Sequence, residues 1–119
     1  MEKIFEQGLL YDFYGELLTD HQRKIYEDAV YNDMSLSEIA EGQGISRQGV
    51  HDLIKRCDKI LTGYEEKLHL LKRFTEAKQT IHTMINLTEE TMQDHIEVGQ
   101  RAEKLAKIKL LGNRLLDEL

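Results

Sequence analysis

Leu36-Ser-Glu-Ile-Ala-Glu-Gly-Gln-Gly-Ile-Ser-Arg-Gln-Gly-Val-His-Asp-Leu-Ile-Lys-Arg56 has the pattern of a helix-turn-helix. Two short helices that meet at a steep angle have fixed contact points. Ile39 is placed to face the second helix, and Ala40 is small enough to let the two backbones approach. Gly44 falls where the chain must turn with a positive φ, which glycine adopts without steric cost. Ile45 is expected to plug the corner, and Ser46 to cap the second helix by accepting from its free N–H groups. Val50, Leu53 and Ile54 recur at spacings of three and four and face inward. A lone alanine or glycine would carry no information. An ordinary helical hairpin does not call for the small residue, turn glycine, cap and apolar register all at once.

The second helix then offers Arg47, Gln48, His51, Asp52 and Lys55 on its outer face. In this motif the N-terminal part of that helix enters the major groove of duplex DNA. Arginine reads guanine and glutamine reads adenine through paired hydrogen bonds. The candidate nucleic-acid-binding residues are therefore Ser46, Arg47, Gln48, His51 and Lys55. On charge alone, Arg47 and Lys55 would be an ordinary solvated face.

The charge distribution adds to this. The net charge is −6, which argues against indiscriminate nucleic-acid binding. Residues 1–46 carry three basic and ten acidic groups, residues 47–73 seven and four, and residues 74–119 six and eight. The sole basic segment thus begins at the recognition helix, as a small binding face on an otherwise repelling body. Few neutralised phosphates imply modest affinity.

The 119 residues suffice for one domain plus an appendage. The absence of proline, with eight glycines and 32% charged residues, points to an all-α protein. A single cysteine, Cys57, excludes an internal disulfide and fits a reducing cytosol. It falls on an apolar helix side, as a buried structural thiol. The opening Met-Glu-Lys-Ile-Phe-Glu lacks the basic start and apolar run of a signal peptide, and no stretch approaches a membrane span. The expected location is the cytoplasm.

Along the chain, residues 3–18 read as a first helix whose apolar positions cover more than one stripe, implying burial on two sides. Tyr11 and Tyr14 are expected in packing. Thr19 with Gln22 forms a capping box for the second helix, which ends near Asn32-Asp33, and His21 sits on its exposed first turn. Ser35 or Ser37 caps the third. From Arg47 the apolar positions Val50, Ile54, Cys57, Leu61, Tyr64, Leu68 and Leu71 form a heptad seam, with a break expected near Lys72-Arg73. Phe74, Ala77, Ile81 and Met84 start a new stripe. Thr88 is read as the cap of a last helix, with Glu89 and Glu90 in its first turn. Val98, Ala102, Leu105, Ile108, Leu111, Leu115 and Leu116 mark the adhesive side of that helix. The expected domains are 1–73, the helix-turn-helix, and 74–119, a helical extension serving oligomerisation.

Catalytic and cofactor signatures are missing. The five histidines stand far apart, without the His-Glu-x-x-His spacing of a zinc site. Cys57 has no cysteine partner for zinc. There is no phosphate-binding glycine loop and no dinucleotide fingerprint. The sequence is read as that of a non-enzyme, with no catalytic residue, no metal and no cofactor.

Leu-Leu-Tyr-Asp-Phe-Tyr-Gly-Glu-Leu-Leu-Thr-Asp-His-Gln at 9–22, Leu-Ser-Glu-Ile-Ala-Glu at 36–41 and Ile-Ser-Arg-Gln-Gly-Val-His-Asp at 45–52 resemble the YlxM family of small bacterial proteins. That family is similar to the fourth region of sigma factors, within the winged-helix-like superfamily. The resemblance covers residues 1 to about 73 and leaves the tail outside it. It implies a sigma-factor-like helix-turn-helix with a long recognition helix and a C-terminal helical extension. It places Ser46, Arg47, Gln48 and His51 on the family's recognition helix. It further implies a non-enzymatic DNA-binding regulator linked to the signal recognition particle pathway, whose GTPase and receptor genes adjoin those of the family. Two positions depart from the family pattern: Gln43 stands where an apolar residue is usual, and Gly49 where alanine is common. Gly49 also reads as a suboptimal residue for a helix interior.

Two partner classes follow. One is double-stranded DNA. The other is the signal recognition particle, its RNA or its GTPase, contacted by an accessory factor that does not bind DNA. A scaffold whose motif has lost its ligand is a third reading. The apolar surplus on the first helix, the seam and the tail predicts a homodimer with the first helix at its centre.

Overall fold

α1 (Lys3–Tyr14) is shorter than the helix expected over 3–18. At Gly15 the chain tightens into a single 3₁₀ turn, Gly15–Leu17, and Leu18 N–H reaches the Gly15 carbonyl at 3.1 Å. A Cβ at position 15 would lie 2.7 Å from the Tyr11 ring, so only glycine fits beneath it. The tightening brings Leu18 into the core.

The computed structural model describes residues 2–118, and among these the chain has six α-helices and no strand. It is an all-α protein with a sigma-factor-like helix-turn-helix. Side-chain caps set the helix starts. Thr19 and Gln22 form the reciprocal capping box of α2 (Asp20–Val30). Ser35, and not Ser37, caps α3 (Leu36–Gln43) and exchanges bonds with Glu38. Gly44 ends α3 at φ 67°, and Ser46 opens α4 (Arg47–Leu68) by accepting from Gly49 N–H at 2.9 Å. His69, at φ 57°, closes α4, so the break comes before Lys72-Arg73. α5 (Leu70–Thr91) and α6 (Val98–Glu118) follow.

The chain divides into two units, one ending at Leu71 and the other starting at Lys72. In the first, α4 is the spine on which α1, α2 and α3 all pack. Leu10, Tyr14, Leu18, Tyr26, Cys57 and Leu61 fill one side of it. Ile25, Ile39, Ala40 and Val50 fill the corner of the helix-turn-helix, and Leu53 and Ile54 border both groups. The seam on α4 is thus filled within this chain from Val50 to Tyr64, while Leu68 is exposed. Ile45 does not plug the corner: it lies at the surface, and Ile39 and Val50 close the angle. α1 packs on the core through Leu10, Tyr11, Phe13 and Tyr14, and leaves Ile4 and Phe5 exposed.

Tyrosines tie this unit together. Tyr14 donates to Glu65 Oε1 at 2.6 Å and accepts from Leu70 N–H at 3.1 Å, while Leu71 N–H donates to the same Glu65 oxygen at 2.9 Å. Tyr26 donates to Asp58 at 2.6 Å, and Gln7 donates to that carboxylate from α1 at 2.9 Å. Tyr11 donates to Glu27. Burial, then the facing carboxylates, raise the pKa of Tyr11, Tyr14 and Tyr26, so all three stay neutral donors.

In the second unit α5 and α6 form an antiparallel helical hairpin. Lys104 pairs with Glu90 at 2.5 Å, and the position of Gly112 faces the Met84 methyl. Half-buried Ala77, Thr80, Met84, Leu87 and Thr91 alternate spacings of three and four, and α6 answers with Arg101, Lys104, Ile108, Leu111 and Leu115. Thr88 does not cap the last helix. It lies inside α5 with its hydroxyl donating to the Met84 carbonyl at 2.7 Å, and the last helix begins at Val98. Glu89 and Glu90 therefore occupy the end of a helix, where its dipole disfavours them, and the Lys104 ammonium offsets this for Glu90. Phe74, Ile81 and Ile85 on α5, Met92 just past its end, and Val98, Leu105 and Leu116 on α6, stay exposed. At 100° per residue these positions fall beside the hairpin seam on the same side of both helices.

Candidate nucleic-acid interface

The turn at Gly44 fixes how α4 leaves α3. A left-handed residue is required there, and a Cβ would meet no neighbouring atom, so backbone conformation alone demands glycine. Ser46 then holds the first turn of α4. Its hydroxyl is committed to Gly49 N–H, so its first role in the site is structural.

Val50, Leu53 and Ile54 anchor the inner side of α4, which turns positions 47, 48, 51, 52 and 55 outward. Arg47, Gln48 and Lys55 are exposed, and His51 is half-buried. Arg47, Gln48 and His51 meet around a shallow depression completed by Leu36 from the start of α3. Lys55 lies further along the helix, in a second depression shared with Asp52, Arg56, Asp58 and Lys59. The structure thus gathers three of the five expected residues, assigns Ser46 to the cap, and sets Lys55 apart.

Two interactions limit this face. Gln48 Nε2 donates to Asp52 Oδ1 at 2.9 Å, so the amide is engaged one helical turn along. The same carboxylate oxygen lies 3.7 Å from His51 Nδ1, beyond hydrogen-bond distance, and that buried nitrogen has no partner. An acceptor such as a phosphate oxygen or a base edge would satisfy an Nδ1–H brought within its reach. Asp58 is occupied by Tyr26 and Gln7 and is part of the core scaffold.

Arg56 and Lys59, beside Lys55, lie outside the five expected residues. The signal was present, since Lys55, Arg56 and Lys59 recur within little more than one turn. Among the described residues, no group of three or more His, Cys, Asp or Glu side chains could hold a metal ion. No helix among them is long and apolar enough to cross a membrane.

A left-handed glycine turn between two capped helices, the second packed along its inner side and polar along its outer one, defines a helix-turn-helix protein. The chain belongs to the family described as "UPF0122: Putative helix-turn-helix protein, YlxM / p13 like", which matches residues 1–105. That match takes in α5 and the start of α6, so the likeness does not stop near residue 73. Similar proteins include a UPF0122 protein of Desulforamulus reducens, 38% identical over 118 residues, spanning 99% of this chain and 97% of that one. One from Clostridium kluyveri is 41% identical over 110 residues, 92% of this chain and 94% of that one. One from Caldanaerobacter subterraneus is 56% identical over 73 residues, 61% of this chain and 62% of that one.

Proposed function

We propose that this chain is a DNA-binding regulatory protein that inserts the first turns of α4 into the major groove and acts as a homodimer. The observation that supports this best is the outward row Arg47, Gln48, His51 and Lys55, aimed by a capped and fully packed helix start. Arg47 and Gln48 are the base readers. Lys55, with Arg56 and Lys59, neutralises phosphates further along. The exposed apolar side of the α5–α6 hairpin supplies the dimer surface: neither helix holds a buried residue, so a partner surface adds much apolar burial. Two recognition helices then meet two half-sites. The family and the reduced, buried thiol Cys57 support a cytoplasmic setting.

One observation favours a second reading. Asp52 stands within the outward row and holds Gln48. A face with few cations and an embedded carboxylate suits a weakly bound accessory factor of the signal recognition particle, contacting its RNA or its GTPase.

The test is binding of the purified protein to duplex DNA, to signal recognition particle RNA and to the GTPase over a salt series. Arg47→Ala and Lys55→Ala are each expected to weaken DNA binding. Loss of the Lys55 phosphate contact lowers the salt slope by about one, whereas loss of Arg47 relaxes sequence preference. Unchanged DNA binding in both variants, with helicity intact, would refute the DNA reading.

A further inference from the structure

A shallow apolar groove runs along the outer side of α1, bounded by the C-terminal end of α2, and takes no part from α4. Ile4 and Phe5 form one wall and are 48% and 59% exposed. Leu9 and Val30 form the floor. Tyr31, which is 50% exposed, packs beside Gly8: a Cβ at position 8 would lie in ordinary contact with its hydroxyl at 3.8 Å. That hydroxyl bonds to Asp12 and lies 2.9 Å from the Gly8 carbonyl, which fixes the ring as a rigid end wall.

Ile4 and Phe5 are not needed for the core, although Val30 on the floor packs against it. Tyr14 and Leu10 already bury α1 on its other side. Two exposed large side chains one residue apart, beside a pinned tyrosine, make a surface suited to a further apolar occupant.

The charge around the groove selects that occupant. Glu2 and Asp12 lie at its two ends, and among the described residues no Lys, Arg or His lines it. The surrounding stretch, residues 1–46, carries ten acidic against three basic groups. A two-fold contact between copies through this groove would set carboxylate against carboxylate, which disfavours self-association here. The backbone of the walls is internally bonded in helices, so an extended peptide would find no main-chain partners. A helix brings its backbone bonds already made and offers apolar side chains at intervals of three and four.

We propose that the groove between α1 and the end of α2 docks a cationic amphipathic helix of another protein. Asp12 lies ten residue steps along from Glu2, the N-cap of α1, a rise of about 15 Å at 1.5 Å per residue. About three turns of partner helix fit that length, with apolar residues on Phe5 and Leu9 and a lysine or arginine toward each end carboxylate. The site stands apart from DNA readout, so loss of either leaves the other measurable.

The experiment uses the full chain and a fluorescein-labelled fifteen-residue leucine–lysine peptide of helical amphipathic pattern, read by anisotropy. A leucine–glutamate peptide of the same pattern is the counter-probe. The lysine peptide is expected to bind and the glutamate peptide not. Phe5→Ser is expected to weaken binding at least about tenfold, since it removes the central exposed ring. Glu2→Gln with Asp12→Asn is expected to weaken it at least about threefold and to flatten its salt dependence. Glu41→Lys with Glu103→Lys, an equal or larger charge change at exposed positions outside the groove, is expected to leave affinity within about twofold. The proposal is overturned if the lysine peptide does not bind, if Phe5→Ser binds it as well as the parent, or if the Glu41/Glu103 pair weakens it as much as the groove variants. Self-association of the parent that Phe5→Ser abolishes would also overturn it, by making a second copy the occupant.

Discussion

Gly49 and Ser46 form a coupled pair, and Gly49→Ala tests the coupling. From helix propensity alone, alanine in place of glycine stabilises a helix by roughly 0.8–1.0 kcal/mol. The structure changes that expectation. A Cβ at position 49 would stand 3.1 Å from Ser46 Oγ, and the same oxygen accepts from Gly49 N–H at 2.9 Å. The added methyl can be accommodated only if the hydroxyl withdraws by a few tenths of an ångström, which lengthens the capping bond. A serine cap is worth about 1 kcal/mol. Gain and loss are therefore of similar size, and Gly49→Ala in the parent is expected to change stability by less than about 0.5 kcal/mol.

The effect of the cap separates in a double-mutant cycle. Ser46→Ala alone should cost about 1 kcal/mol. In that background no Oγ opposes the new methyl, and Gly49→Ala should recover its full gain of about 0.8–1.0 kcal/mol. Urea unfolding of the four proteins, followed by far-ultraviolet circular dichroism at equal m-values, measures the coupling. Equal stabilisation by Gly49→Ala in both backgrounds would refute the reasoning. It would mean that the cap and the methyl coexist without adjustment.

Two further outcomes follow from groups outside the motif. Burial in the core pushes the Cys57 thiol from an ordinary 9.0 up to about 11, with the neighbouring Asp58 carboxylate second in effect. The folded state keeps this proton after the unfolded chain has lost it, so the stabilising effect is complete below pH 9 and is lost as pH rises to about 11. Over that window Cys57→Ala should flatten the fall in stability by up to about 1.4 kcal/mol per pH unit, and an unchanged slope in urea titrations would exclude the thiol as its source. On the hairpin, Ile85→Lys puts a charge into the exposed apolar side and is expected to give a monomeric mass by light scattering at micromolar concentration. Gln79→Lys, on another side of the same helix, should leave the dimer intact, and a monomeric parent would refute the dimer outright.

The features that were legible in the sequence are those whose chemistry is local. Thr19 with Gln22, and Gly44 followed by Ser46, each act on backbone groups within four residues, so the chain order alone displays them; at the start of α3 it left Ser35 and Ser37 open, and the exchange with Glu38 decides for Ser35. The tyrosine ties were not legible. Tyr14 meets Glu65 and Leu70 across more than fifty positions, and no periodicity pairs a hydroxyl with so distant a partner. The misplaced cap at Thr88 shows the limit of local signals. Thr-Glu-Glu has the composition of a helix start, but a cap also needs an extended residue at that point. Nothing in the preceding Ile85-Asn-Leu stops a helix, and the hydroxyl bonds back to Met84 instead.

The same distinction governs the candidate interface. Which side chains of α4 point outward follows from 100° per residue once the inner positions are known. What occupies them does not. Gln48 and Asp52 are four apart on one helix side, a spacing at which an amide and a carboxylate pair readily, and the bond is present at 2.9 Å. Reading adenine with Gln48 therefore requires that bond to open, and the Asp52 carboxylate to stay near a phosphate-bearing ligand. Arg47 carries neither burden: it precedes Gln48 on the first turn, exposed beside the depression at Leu36. In a DNA complex, discrimination should thus rest on Arg47 first, with Gln48 contributing only where the ligand or a water takes over the Asp52 acceptor.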